Sequence, residues 1–405
     1  MAQFDDKFLR AIPKTDLHVH LDGSMRVPTL IELARDMNVK LPSHNESGLN
    51  ELVFKDSYAN LDEYLRGFGY TCSVMQDLES IERVSYELAI DNFAEGVRYI
   101  EVRFAPQLLM DDARGFELVV GAADKGFRRA RTEINSKIPP HEPEFDYGII
   151  ICAMRFFNEH FSPYFKRLAQ VHAHSSPREQ IRMASLEAAR ATIKLRQNTD
   201  FQVVGFDIAG SEYGYPADNH RESYEIIHKH FIKKTVHAGE AYGPESIFQA
   251  ITKLHADRIG HGLFLFDENM IFSKDIRDKK RYVQNLANYV AERRITIEVC
   301  LTSNLQTTPS IKSLKDHSFG KMLDNSLSVT LCTDNRLVSH TTVTNEVKLA
   351  IENFDITPKR LKNIIIYGFK RSFHFQPYPK KREYVRKVIN YYEKLEKEYG
   401  VAEGN

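Results

Sequence analysis

Apolar and polar residues alternate with period two along Asp16-Leu17-His18-Val19-His20-Leu21-Asp22, the pattern of a strand whose successive side chains point to opposite faces. Pro13 and Gly23 bound the element, as turn-forming residues do. One face would carry both imidazoles and both carboxylates. Such a face is no ordinary core face, because buried polar groups need partners.

From Val27 to Asn38, the spacing of Leu30, Ile31, Leu33, Ala34 and Met37 predicts a helix. Residues 41–60 turn polar and irregular. Leu61, Tyr64, Leu65 and Phe68 then recur at i, i+3, i+4, i+7, one face of a helix; by spacing alone such a stripe is core. Helical sequence continues through Ala94, and Val97–Phe104 predicts a second strand. From there strands and helices alternate. Strands are expected at 147–154, an apolar run of the kind buried on both faces, and at 203–208, 234–237, 258–261, 296–301 and 328–332. Helices are expected at 177–196, 220–230, 244–254, through Ala291, and at 380–399.

Eight strands alternating with helices argue for a closed parallel (β/α)8 barrel, the TIM-barrel form of the α/β class. That fold needs roughly 250 residues, and the chain has 405. The surplus is expected in an inserted helical lid after strand one, over 41–95, and in extra C-terminal helices. With no repeat or linker to divide it, residues 1–405 are expected to form one domain.

Charge narrows the function. The 55 basic and 55 acidic residues balance, which argues against a nucleic-acid footprint. Cys72, Cys152, Cys300 and Cys332 lie far apart without metal-finger spacing and read as buried small hydrophobes of a reducing compartment. The acidic start Met1–Asp6 has no apolar signal segment, and no run of about 18 apolar residues would span a membrane. A soluble cytoplasmic protein is expected, and nothing in the sequence points to a protein partner.

Catalytic groups of such barrels sit where strands end at their C-terminal side. Those ends read His18, His20 and Asp22; Ala209-Gly210-Ser211-Glu212; His237-Ala238-Gly239-Glu240; Gly260-His261-Gly262; Thr302-Ser303-Asn304; and Thr333-Asp334-Asn335. Four of the 16 histidines thus fall at one mouth. His18, His20 and His237 offer three nitrogens and Asp334 an oxygen, a donor set for one Zn²⁺ per chain with a position left for water. A two-metal site would need a bridging group such as a modified lysine after strand four. Lys233 and Lys234 instead precede strand five, at the other end of the barrel. Glu240, in the turn after His237, suits proton transfer to a substrate ring nitrogen if burial raises its pKa. His261, with no ligand role, would orient or deprotonate the metal's water. His172 and His174 sit beside Ser175-Ser176-Pro177 and mark a loop before a helix.

Together these residues resemble the adenosine deaminase family of zinc-dependent barrel hydrolases. The resemblance rests on PKTDLHVHLDGS (13–24), LDEYLRGF (61–68), GVRYIEVRFAP (96–106), VGFDIAGSE (204–212), HAGE (237–240), RIGHG (258–262), LTSN (301–304) and TDN (333–335). It implies hydrolytic deamination of adenosine and 2′-deoxyadenosine to inosine nucleosides and ammonia, by attack of a metal-activated water on purine C6. His18, His20, His237 and Asp334 would be the zinc ligands, with Asp334 also part of the catalytic set. Glu240 would protonate purine N1, and His261 would pair with the attacking water. Asp22 would contact the ribose hydroxyls and Gly210 the purine N3, with His20 also against the substrate. Leu61, Tyr64, Leu65 and Phe68 become a hydrophobic gate over the ribose end, which reverses the core reading.

One departure stands out. Better-known members carry two adjacent aspartates after the last strand, the second contacting purine N7; here it is Asn335. An amide donates to N7 at any pH, whereas a carboxyl must first be protonated. The chemistry survives the change, while the substrate stays open among adenosine, adenine, a 5′-modified adenosine and aminodeoxyfutalosine. A non-catalytic adenosine-binding relative is the reading from another class. The full ligand set and Glu240 argue against it.

Overall fold

The computed structural model describes residues 4–401; Met1–Gln3, part of the stretch that argues against a signal segment, lie outside them. Eight parallel strands follow one another around a barrel in chain order. They are β1 (Lys14–His20), β2 (Val97–Phe104), β3 (Asp146–Met154), β4 (Val203–Ala209), β5 (Lys233–Ala238), β6 (Arg258–His261), β7 (Thr296–Val299) and β8 (Val329–Leu331). The ring closes where Val19 bridges Asp334. There His20 N donates to Asp334 O at 2.7 Å and Asp334 N to His18 O at 2.8 Å. Every residue of β1 is buried, as a central barrel strand requires. Among the described residues no helix is long and apolar enough to cross a membrane.

The helices between β1 and β2 form the inserted segment, and helices Val343–Asn353, Pro358–Arg371 and Tyr378–Glu398 follow β8. The expected periods locate most elements, with four differences. Strand β1 begins two residues early and ends at His20, so Asp22 lies on the loop beyond it. The supposedly irregular 41–60 contains a helix, Glu46–Leu52, capped by Asn45 onto Gly48 N at 2.8 Å. Only Leu49 of that helix is buried, so no apolar period marks it. The 61–68 helix breaks at Arg66 into Leu61–Leu65 and Gly67–Ser73. Glycine disfavours helix, and Gly67 leaves room for Phe54, whose Cε1 would sit 3.1 Å from an added Cβ. Finally β7 ends at Val299 and Leu301–Thr307 is helical. Thr302 N, at the start of that helix, donates to Glu346 Oε2 at 3.2 Å, a cap from 44 residues away that no local pattern reveals.

The helix Pro358–Arg371 packs under β1 and β8. A Cβ on Gly368 would drive into Thr15 Oγ1 and stand 3.1 Å from Thr330 Oγ1, on a buried face. Removing a mid-helix glycine normally gains roughly 0.5–1 kcal/mol. Overpacking costs about 1–3 kcal/mol and should win. Gly368→Ala should therefore lower the urea midpoint with an unchanged slope; a raised midpoint would show that the threonines yield.

Candidate active site

The alternation of β1 aims His18 and His20 into the barrel mouth, β5 ends with His237, and Asp334 follows β8. Asp334 stands at φ 61° and His261 at φ 65°, a backbone region that non-glycine residues seldom occupy and that clusters at functional sites. One ligand atom from each of His18, His20, His237 and Asp334 lies within 4.8 Å of the others. His20 Nε2 is 3.3 Å from His237 Nε2, and Asp334 Oδ1 is 3.5 Å from both His18 Nε2 and His20 Nε2. Tetrahedral bonds of about 2.0–2.1 Å place ligand atoms roughly 3.3 Å apart, so these separations suit a first-row divalent ion. His18 Nε2 is buried without a hydrogen-bond partner, a costly state unless something binds there. The residues fit a metal.

Behind the histidines stands a layer of charge inside the barrel. His18 Nδ1 is 2.8 Å from Glu298 Oε2. His237 Nδ1 is 2.9 Å from Asp207 Oδ2, too oblique for a straight N–H···O bond, so charge and proximity define that contact. Arg103 donates to Asp207 at 2.7 Å and to Glu298 at 2.9 Å. Arg258 meets Glu298 at 2.6 Å, also pairs with Glu101, and lies 3.6 Å over the Phe373 ring. Thr235 Oγ1 donates to Glu298 at 2.9 Å. Burial alone would raise the Glu298 pKa; Arg103 and Arg258 instead hold it well below the usual range. For Asp207, His237 and Arg103 likewise overcome burial and depress it. The carboxylates behind His18 and His237 leave their Nε2 atoms facing the mouth, the usual support of metal-binding imidazoles.

Glu240 sits on the same rim without joining the four. Its turn is built around Glu212, whose carboxylate accepts from the backbone N of Gly239, Glu240, Ala241 and Tyr242 at 2.7–3.1 Å and from Ser246 Oγ at 2.6 Å. Burial, then Asp334 and Glu212, push the Glu240 carboxyl up to about 8. Glu240 Oε1 is 3.7 Å from His261 Nε2. Arg155 donates to the carbonyl of His237 and, at 2.5 Å, to that of Tyr215, tying β5 to the loop after β4.

A cavity of about 770 Å³ opens here, lined by His20, Asp22, Leu61, Tyr64, Leu65, Phe68, Gly210, His237, Glu240, His261, Asp334 and Asn335. Every expected site residue therefore meets at one chamber, with His18 buried just behind it. Leu61, Leu65 and Phe68 also pack on the core, so the core and wall readings of that stripe coexist. Asp22 Oδ1 has no partner, and burial pushes its carboxyl up to about 7. Gly210 adopts φ 98°, which favours glycine. Asn335 Nδ2 donates to Tyr64 OH at 2.7 Å, and that hydroxyl meets Ser339 Oγ at 2.8 Å. The Asn335 carbonyl oxygen covers Gly23, where a Cβ would collide with it. Cys72 lines the cavity and is only partly buried, unlike the other three cysteines. His172 and His174 lie away from it, between helices Pro163–Val171 and Pro177–Asn198.

Sequence reading missed the residues that act behind the ligands: Asp207, Glu298, Arg103, Arg258 and Glu212. Each had a signal. Asp207 interrupts VVGFDIA and Glu298 interrupts TIEV, single ionisable groups inside apolar strands.

A parallel barrel with such a donor set at its mouth has the form of a metal-dependent barrel enzyme. The adenosine deaminase family profile matches residues 13–391. A probable adenosine deaminase of Dictyostelium discoideum is 33% identical over 366 residues, 90% of this chain but 41% of that longer protein. An adenosine deaminase of Vibrio atlanticus is 33% identical over 364 residues, 90% of this chain and 94% of the relative. In fold, an amidohydrolase from Burkholderia ambifaria solved with bound zinc superposes with a TM-score of 0.76 at 18% identity, over 98% of this chain and 95% of that one. The chain is an enzyme of the adenosine deaminase family.

Loss of a carboxylate behind a metal-bound imidazole typically costs 10–100-fold in metal affinity. Asp207→Asn should weaken zinc binding by about that factor, measured by chelator competition on purified protein. An unchanged affinity would show that Asp207 does not hold His237 for a ligand.

Proposed function

We propose that this enzyme hydrolytically deaminates adenosine and 2′-deoxyadenosine, with one zinc ion held by His18, His20, His237 and Asp334. The observation that carries the reading is a carboxyl, Glu240, on the wall of the same cavity as the four ligands yet outside the ligand set. Zinc bound there would acidify a coordinated water, bringing its pKa toward 7.

The chain's own groups do the rest. Glu240 gives a proton to purine N1, so that C6 can accept an oxygen nucleophile and release its amino group as ammonia, the role of the non-ligating glutamate in zinc deaminases. His261 meets the attacking oxygen. Asp22, with its unpartnered Oδ1, accepts from the ribose hydroxyls, and the backbone of Gly210 meets N3. Asn335 spends one amide N–H on Tyr64 and keeps the other for N7, which is an acceptor. Leu61, Tyr64, Leu65 and Phe68 close the apolar side over the ribose and exclude water. We read the 405 residues as one domain serving this site.

The deciding experiment follows loss of the adenine absorbance band with adenosine, 2′-deoxyadenosine, adenine and 5′-modified adenosines. Fastest turnover of free adenine or of a 5′-modified nucleoside would redirect the substrate assignment, and no turnover of any would end it.

Glu240→Gln keeps the size and polarity of the side chain but has no proton to deliver. It should retain one equivalent of zinc and bind nucleoside, while kcat falls by ~10²–10⁴-fold. Loss of zinc in the variant, by elemental analysis, would make Glu240 a ligand.

A further inference from the structure

Beneath His261 runs a line of buried groups that the proposed chemistry does not use. Asn304 Nδ2 is 3.0 Å from His261 Nδ1. Asn304 Oδ1 is 3.2 Å from His317 Nε2. Phe319 N donates to His317 Nδ1 at 3.0 Å. His261, Asn304 and His317 are all buried. The line joins the end of β6, the helix after β7 and the helix Phe319–Asp324.

The polarity of this line follows from its far end. A backbone N–H can only donate, so His317 Nδ1 must be the acceptor. Burial holds the His317 pKa down to about 4, and a neutral imidazole has one donor and one acceptor. His317 Nε2 therefore carries the hydrogen. The Asn304 atom facing it must be the carbonyl oxygen, which leaves the NH₂ group facing His261. His261 Nδ1 then accepts, and its own hydrogen sits on Nε2, the atom 3.7 Å from Glu240 on the cavity side.

We propose that Asn304 and His317 are positioning residues that lock His261 into the Nε2–H tautomer, so that it faces the reacting centre as a hydrogen-bond donor. This rests on the reading of His261 as the partner of the attacking oxygen, and it decides between the two roles left open for that residue. With Nε2 already protonated, His261 orients the nucleophile and supports oxygen charge developing at C6. It is not the base that takes the water's proton. The backbone N–H of Phe319 sets the direction, because it is the one member of the line that cannot reverse.

Asn304→Asp tests this with little change of shape. A carboxylate accepts from both sides, so it takes the hydrogen from His317 Nε2 and draws one onto His261 Nδ1, reversing the tautomer. Histidine-ring ¹⁵N NMR on the full-length zinc-loaded protein, with His261 assigned by its loss in His261→Gln, reads this directly. The wild type should show His261 as Nε2–H and Asn304→Asp as Nδ1–H. With adenosine, kcat in Asn304→Asp should fall roughly 10²-fold or more, as it does when a donor to developing oxygen charge is removed, while KM and zinc content change little. His317→Gln, whose amide can still donate to Asn304, should keep the wild-type tautomer and most of the turnover. His317→Leu, which leaves Asn304 free to turn over, should lose both. A wild-type Nδ1–H signal, or full kcat in Asn304→Asp, overturns the proposal. If the wild-type enzyme turns over no 6-aminopurine, the functional reading fails, while the tautomer result still stands or falls by itself.

Discussion

The barrel depends on how it handles Glu298. This carboxylate lies at the centre of the barrel with no exposure, and it touches His18, Arg103, Arg258 and Thr235 at 2.6–2.9 Å. Removing one partner of a buried ion pair costs about 3–5 kcal/mol, far more than the pair contributes relative to apolar packing. An all-aliphatic interior, as most such barrels have, would be cheaper to build. The charge is explained by what it holds: the two formal cations Arg103 and Arg258 face three formal anions, Glu298, Asp207 and Glu101. That leaves one excess negative charge beneath three imidazoles, which favours a cation at the mouth. Interior charge and surface chemistry are one electrostatic unit.

Above that layer the rim is built from short loops under strain. His261 and Asp334 adopt positive φ, a conformation that costs of order 1–3 kcal/mol per residue unless the surroundings impose it. Here the closing bridge from β1 to Asp334 and the paired strands β5 and β6 impose it. Glu240 is fixed differently, by four backbone N–H groups gathered on Glu212. The inserted segment reaches the chamber through Tyr64, whose hydroxyl is tied to Asn335 and Ser339. The wall and the floor of the cavity thus meet in polar contacts, among them the one in which Tyr64 is the hydrogen-bond partner of Asn335.

Much of this was legible in the amino-acid order. Period-two alternation marked β1 because both of its faces matter, and apolar runs marked the strands that are buried on both sides. The donor set was legible because histidines and an aspartate at strand ends have few other uses. Helix Glu46–Leu52 and the break at Arg66 were not, because one buried leucine makes no period and a glycine break depends on Phe54 packing from elsewhere.

The sequence by itself therefore determined the barrel, and it marked out the residues that the structure gathers at one mouth, the donor set His18, His20, His237 and Asp334 and the carboxyl of Glu240, all carried by local periods and strand-end chemistry. Only the tertiary structure decided what stands behind them. Glu298 comes from 280 residues beyond His18, and the direction of the line from His317 to His261 depends on one backbone N–H at Phe319. These are long-range electrostatic and hydrogen-bonding relations between single residues. They leave no period in the chain, because their partners become neighbours only when the barrel closes.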